Sequence, residues 1–233
     1  MSHLNDPQQH SLVSGKPLPA GFRHLPGRLD ATAQEGLLAE VLASVGAAGW
    51  FQPTMPRSGR PLSVRMCNLG SLGWVSDKEG YRYQPHHPDT GCPWPPLPAS
   101  LLELWQAVAG YPHPPEACLV NLYRTGARMG LHQDRDEADL SAPVVSVSLG
   151  DDALFRIGGT NRRDPGRTIV LRSGDVVVLG GASRLCFHGI DRILPGTSAL
   201  VPGGGRINLT LRRVSVPPAA SPFSPQPGTR PGG

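Results

Sequence analysis

From residue 117 onward the chain is a succession of short β-type runs cut by Gly, Pro and Asp: ACLVNLYR, PVVSVSLG, ALFRIG, RTIVLR, DVVVLG, RLCFHG and RINLTLRR. Strands this short, spaced by turn residues, predict a sandwich or barrel. The 29 glycines and 26 prolines fit turn-rich β structure rather than a helical bundle. No internal repeat of solenoid or propeller length is present. The predicted class is therefore mainly β with flanking helices (α+β).

Two helices are expected to pack on this sheet. Thr32 and Glu35 have the spacing of a capping box, and Leu38, Val41, Leu42 and Val45 follow on one face, which predicts a helix from Ala33 to about Val45. Ser100 and Glu103 repeat the box before Leu101, Leu104, Trp105 and Val108, and Gly110 ends that pattern. Between the helices, GWVSDKEGYRY and GCPWPPLP are expected to form a hairpin and a Pro-rich loop with the character of a lid. Residues 1–30 show no sustained periodicity, and PPAASPFSPQPGTRPGG at 217–233 has little to bury; both are expected to be poorly ordered. A single domain over 31–216 is expected between them.

The net charge of +4 excludes little by itself, but five arginines (156, 162, 163, 167 and 172) share a short stretch with one acid, Asp164. A polyanion would meet that patch first. The four cysteines, Cys67, Cys92, Cys118 and Cys186, form no C-x-x-C pair, and no basic-then-apolar leader or membrane-length apolar run occurs. A reducing, cytoplasmic setting without disulfides is expected.

Two copies of H-x-D stand out, because two histidines and a carboxylate on one face can hold Fe(II) and leave positions open for dioxygen and an oxo-acid. His87-Pro88-Asp89 lies in a Pro-rich stretch that no strand positions, so it is set aside. His132-Gln133-Asp134 follows a strand run and a turn, and is kept. A third ligand should come from a distant strand, and His188, ending RLCFHG, is placed to supply it. Taken singly, any of these histidines fits a structural or surface role as well. In the last run, Arg206, Asn208, Thr210 and Arg212 alternate with Ile207, Leu209 and Leu211, so the polar set shares one face. Arg206 and Arg212 would stand about 20 Å apart on a straight strand. They could grip opposite ends of one dicarboxylate only if the strand curves inside a small barrel, and the spacing leaves that open.

NLYRTGARMGLHQDRDEADLSAPVVSVSLG, followed by FRIGGTNRRDPGR, GDVVVLGGASRLCFHGI and GRINLTLRR, resembles the AlkB family of nucleic-acid dealkylating dioxygenases, and the bacterial type in particular. The likeness extends back through NLGSLGWVSDKEGYRYQP and CPWPPLP, so it spans about residues 50–214. The resemblance implies a double-stranded β-helix, or jelly roll, at about 117–214, with a nucleotide-recognition lid at about 50–98. It implies His132, Asp134 and His188 as iron ligands. It places Arg206, Asn208 and Tyr123 at the distal carboxylate of 2-oxoglutarate, and Arg212 and Asn121 at the carboxylate beside the keto group. Trp74 and Tyr81 match lid aromatics, Met66 a lid contact, Asp136 a polar group at the target base and Arg162 a substrate-side arginine. The implied cofactor is Fe(II), with 2-oxoglutarate and dioxygen as cosubstrates. The implied reaction is oxidative demethylation of bases such as N1-methyladenine and N3-methylcytosine in single- or double-stranded DNA or in RNA, with release of formaldehyde. Neither a membrane nor an obligate protein partner is implied, and a monomer is expected. The competing readings are the same chemistry on RNA, a protein or a small molecule, and a zinc-bearing binding module that could recruit Cys186.

Overall fold

A six-stranded antiparallel sheet carries the alternating polar and aliphatic run of the C-terminal strand at its interior. The computed structural model describes residues 17–218. The strands in chain order are β1 (Phe22–Leu25), β2 (Arg65–Gly70), β3 (Gly73–Asp77), β4 (Gly80–Gln84), β5 (Ala117–Tyr123), β6 (Met129–His132), β7 (Val144–Gly150), β8 (Asp152–Ile157), β9 (Arg167–Leu171), β10 (Val176–Leu179), β11 (His188–Leu194) and β12 (Arg206–Arg212). The major sheet runs β1-β10-β7-β12-β5-β2, the minor sheet β6-β11-β8-β9, and β3-β4 form a separate hairpin. Side chains of both larger sheets line one cavity between them, the jelly-roll arrangement expected. β12 is buried along its whole length. Arg206, Asn208, Thr210 and Arg212 line the cavity, while Ile207, Leu209 and Leu211 join the hydrophobic core on the other face.

The two helices, α1 (Ala31–Ala48) and α2 (Ala99–Val108), bury the expected faces, with Leu37 added to Leu38, Val41 and Val45. Their caps differ from expectation. Asp30, not Thr32, accepts from Ala33 N at 2.8 Å, so α1 begins earlier. Pro98 opens α2 without a side-chain bond. Ser100 donates instead to Glu40 Oε2 on α1, at 2.7 Å, and ties the helices together.

The expectation of poor order up to residue 30 is corrected at its C-terminal end. Phe22–Leu25 pairs with β10, and Phe22 stacks on Phe155 across a 6.0 Å centroid separation. Asp175 accepts from Gly27 N at 2.8 Å and faces His24 Nε2 at 2.9 Å, which anchors the segment. Four residues are too few to show a period, and their partners lie far along the chain. Residues 1–16 and 219–233, including most of the expected tail, lie outside the described residues. A second correction concerns RLCFHG: His188 begins β11 rather than ending a strand, because residues 181–183 form a 3-10 turn. Among the described residues no helix is long and apolar enough to cross a membrane.

Candidate metal and cosubstrate site

The short edge strand β6 ends on His132, and the antiparallel register of β6 with β11 sets His132 directly opposite His188. Their rings lie 4.5 Å apart between centroids. Asp134, two residues beyond β6, completes the group: its Oδ1 is 3.7 Å from His132 Nε2 and its Oδ2 is 3.7 Å from His188 Nε2. Among the described residues these are the side chains whose donor atoms converge as a metal group, all within 4.8 Å of one another.

Backbone carbonyls select the tautomer of both rings. His132 Nδ1 lies 2.9 Å from Gly130 O, and His188 Nδ1 lies 3.0 Å from Cys186 O. A carbonyl only accepts, so each Nδ1 carries a proton, and in the neutral ring Nε2 then presents its lone pair towards Asp134. Burial, reinforced by the neighbouring His132, pushes His188 down to about 4, which keeps it neutral. Burial opposes ionisation of Asp134, but Arg212, His188, His132 and Arg184 outweigh it and hold the carboxyl well below the usual carboxylate range. Two imidazoles and one carboxylate are a suitable ligand set for Fe(II).

Behind this group lies the inward row of β12. Arg206 donates to Ser148 Oγ at 2.9 Å, while its Nε and Nη1 have no hydrogen-bond partner despite complete burial. Burial pushes Arg206 down to about 10, which still leaves it charged at neutral pH, and pushes the Tyr123 phenol opposite it up to about 12. Asn208 donates to Ser146 Oγ at 2.6 Å and to Val147 O at 3.0 Å, and its Oδ1 accepts from Thr210 at 2.9 Å. Asn121 Nδ2 reaches the same Oδ1 at 3.4 Å, leaving Asn121 Oδ1 unpartnered. Arg212 donates to Asp134 Oδ1 at 2.9 Å, and its Nε and Nη1 have no hydrogen-bond partner. Buried polar atoms are rarely left without partners. Here the orphaned guanidinium nitrogens sit at two places in the wall of one cavity, which suits a molecule with two carboxylates.

The hairpin β3-β4 stands over the segment that follows Asp134. Trp74 is half-buried and stacks on Tyr81 at 5.6 Å and 17°, and its Nε1 donates to Asp136 Oδ2 at 2.8 Å. The Asn68 side chain clamps the Trp74 backbone on both polar groups, at 3.0 and 3.1 Å. Tyr81 is 49% exposed. Arg162 donates to Leu131 O at 2.7 Å and lies over the Phe187 ring at 5.7 Å, beside both histidines. Met66 is 1% exposed on β2, at the edge of the major sheet, and the β2–β5 register sets it opposite Asn121 of the cavity wall. Of the arginine patch, Arg156 is engaged by Asp191 at 2.8 and 3.0 Å.

The rejected His87-Pro88-Asp89 has another purpose. His87 is 3% exposed, packs against Phe51 and Trp94, and accepts from Asp89 N at 3.1 Å. It is a core histidine that shapes a turn. Cys186, a candidate ligand in the zinc reading, directs its thiol to Ala182 O at 3.7 Å and lies outside the converging group.

Ser146 and Ser148 were readable as one face of PVVSVSLG. Glu137, Arg184 and Tyr83 were not, since no spacing connects them. Glu137 is 2% exposed at its side chain and accepts from Tyr83 OH at 2.5 Å and from Arg184 Nη2 at 3.1 Å, while Arg212 Nε lies 3.2 Å away as an ion pair. Arg184 also donates to the backbone carbonyls of Asp134 and Ala142.

The sequence matches the model of the 2OG-Fe(II) oxygenase superfamily over residues 21–212. It is 60% identical over 200 residues to the alpha-ketoglutarate-dependent dioxygenase AlkB homolog of Caulobacter vibrioides, covering 85% of this chain and 90% of that protein. It is 44% identical over 202 residues to the alpha-ketoglutarate-dependent dioxygenase AlkB of Escherichia coli, covering 85% and 92%. The solved structure of OsALKBH1 superposes with a TM-score of 0.70 at 34% identity, over 85% of this chain and 100% of that one.

Proposed function

Because the chain belongs to the bacterial AlkB type of the 2OG-Fe(II) oxygenase superfamily, and so is an iron- and 2-oxoglutarate-dependent dioxygenase, we propose that it demethylates alkylated bases such as N1-methyladenine and N3-methylcytosine in DNA. In this reading His132, Asp134 and His188 hold the iron. Arg206, Tyr123 and Asn208 take the distal carboxylate of 2-oxoglutarate, and Arg212 with Asn121 takes the carboxylate beside the keto group. The observation that carries the reading is the row of unpartnered guanidinium nitrogens beside two tautomer-fixed imidazoles and an ionised carboxylate, all in one cavity.

Iron(II), 2-oxoglutarate and dioxygen together supply a two-electron oxidation: one oxygen atom enters the N-methyl C–H bond and the other leaves in succinate, with loss of CO2. The protein's own groups prepare for this. The carbonyls of Gly130 and Cys186 keep both Nε2 lone pairs available. Arg212 bonds one oxygen of Asp134, and the other has no partner. The Tyr123 hydroxyl stays protonated and can donate to a carboxylate. The hydroxymethylated base then loses formaldehyde, and the N–C bond electrons return to the ring nitrogen.

To reach this cavity a base must leave its stack, at a cost of a few kcal/mol that is smaller when methylation already blocks pairing. The rings of Trp74, on the hairpin, and His132, in the cavity wall, would offer aromatic surface to offset that cost. Arg162 and Arg163 flank the mouth as phosphate contacts that read no sequence.

The test is turnover on single-stranded DNA and on RNA carrying one N1-methyladenine, with succinate, formaldehyde and restored adenine measured together. Asp134→Ala should lose 2-oxoglutarate decarboxylation and retain the circular dichroism of the parent. Undiminished decarboxylation in that variant would eliminate the metal assignment. Decarboxylation without base repair on either strand type would eliminate the substrate.

A further inference from the structure

Trp74 and Tyr83 are cross-strand partners in the hairpin, and their acceptors, Asp136 and Glu137, are consecutive residues just beyond Asp134. The hairpin is thus pinned at two adjacent points to the loop that bears a metal-binding carboxylate. The second point differs from the first. Asp136 is on the exposed side, whereas Glu137 is buried and its Oε1 faces two ways, accepting from Tyr83 at 2.5 Å and pairing with Arg212 Nε at 3.2 Å. Its Oε2 accepts from Arg184, which in turn bonds the backbone of Asp134. Burial holds the Tyr83 phenol in its protonated form, so Tyr83 remains the donor.

We propose that Glu137 is a positioning residue for both halves of the site, setting the hairpin through Tyr83 and the cosubstrate-facing guanidinium of Arg212 through the same carboxylate oxygen. Glu137 touches neither ligand in this assignment; it acts through the two side chains it holds. A buried carboxylate between two guanidinium groups is costly to keep unless its geometry is used, and a planar guanidinium bonded to Asp134 and ion-paired with Glu137 on its Nε side presents its remaining N–H groups in a set direction. The proposal rests on the reading that the hairpin meets nucleic acid and Arg212 meets 2-oxoglutarate.

Tyr83→Phe and Glu137→Gln separate the two arms. The iron-loaded protein is held without dioxygen and titrated with a fluorescein-labelled single strand carrying one N1-methyladenine, followed by anisotropy, and separately with 2-oxoglutarate, followed by calorimetry. Tyr83→Phe should weaken the oligonucleotide by about tenfold, the usual scale for a hydrogen bond to a charged group, and leave 2-oxoglutarate affinity as in the parent. Glu137→Gln should weaken both ligands to a similar extent. Lower melting temperatures with both affinities intact would mean a merely structural network and overturn the proposal. If Glu137→Gln does not fold, the Tyr83→Phe split decides alone: loss of both ligands equally, or of neither, overturns it. A parent protein that binds 2-oxoglutarate but no methylated strand removes the nucleic-acid reading itself, a result distinct from unaffected variants of a parent that binds both.

Discussion

Trp74 carries the sharpest claim at the level of single residues. One face stacks on Tyr81 and the indole N–H is held by Asp136, so the ring is oriented before any ligand arrives. Trp74→Ala should weaken a methylated oligonucleotide by about 1–3 kcal/mol, the worth of one base–aromatic contact. A core tryptophan would instead cost about 3–5 kcal/mol of stability. Anisotropy titrations and thermal melts on one preparation distinguish these, and a large fall in melting temperature with unchanged affinity would remove the stacking role. The residues read from sequence fall into two kinds. Strict alternation placed Arg206, Asn208, Thr210 and Arg212 on one wall, and H-x-D after a strand placed His132 and Asp134, because both patterns are local. Glu137 and Arg184 escaped because a buried ion pair is made by side chains from separate segments, and nothing in HQDRDEAD distinguishes a buried acid from a solvated one.

At the scale of elements, apolar periodicity identified both helix faces, and the β runs identified most strands of the two sheets. Caps and short edges were harder. Asp30 and Thr32 are equally good cap residues by type, and only the approach of the chain decides between them. β1 depends on Asp175, which accepts from Gly27 N and Arg172 N, at 2.8 and 2.9 Å, and faces His24. Burial alone would raise this carboxyl, but these donors outweigh burial and hold it below the usual range. A carboxyl depressed in the folded state stabilises the fold above the ordinary carboxylate range, and the contribution is lost as pH falls through the folded value. Asp175→Asn should therefore cost about 1.5–3 kcal/mol at neutral pH, the scale of bonds to a charged acceptor, and progressively less in acid. Urea titrations across pH check this, and a cost independent of pH would refute the assignment.

Across the whole molecule, the arginine-bearing turn between β8 and β9 lies on the side of the cavity where Arg162 reaches the β6 backbone. Binding to a nucleic-acid strand should weaken with salt. Arg163→Ala should lower the log–log slope by about 0.7, the share of one phosphate contact on a single strand. An unchanged slope would place the strand's path elsewhere. The global arrangement was the least legible level, since the six- and four-stranded sheets join runs far apart in the chain, and only the family likeness implied a jelly roll. One consequence of that order concerns the His132–His188 register. β6 is four residues long and lies at the edge of its sheet, where amides open readily. An ion shared by ligands on β6 and β11 would clasp this border to its neighbour, so the protein should report its own metallation mechanically. Deuterium uptake at residues 129–132 should slow when iron is added anaerobically, before any cosubstrate is present, while uptake in β12 stays constant.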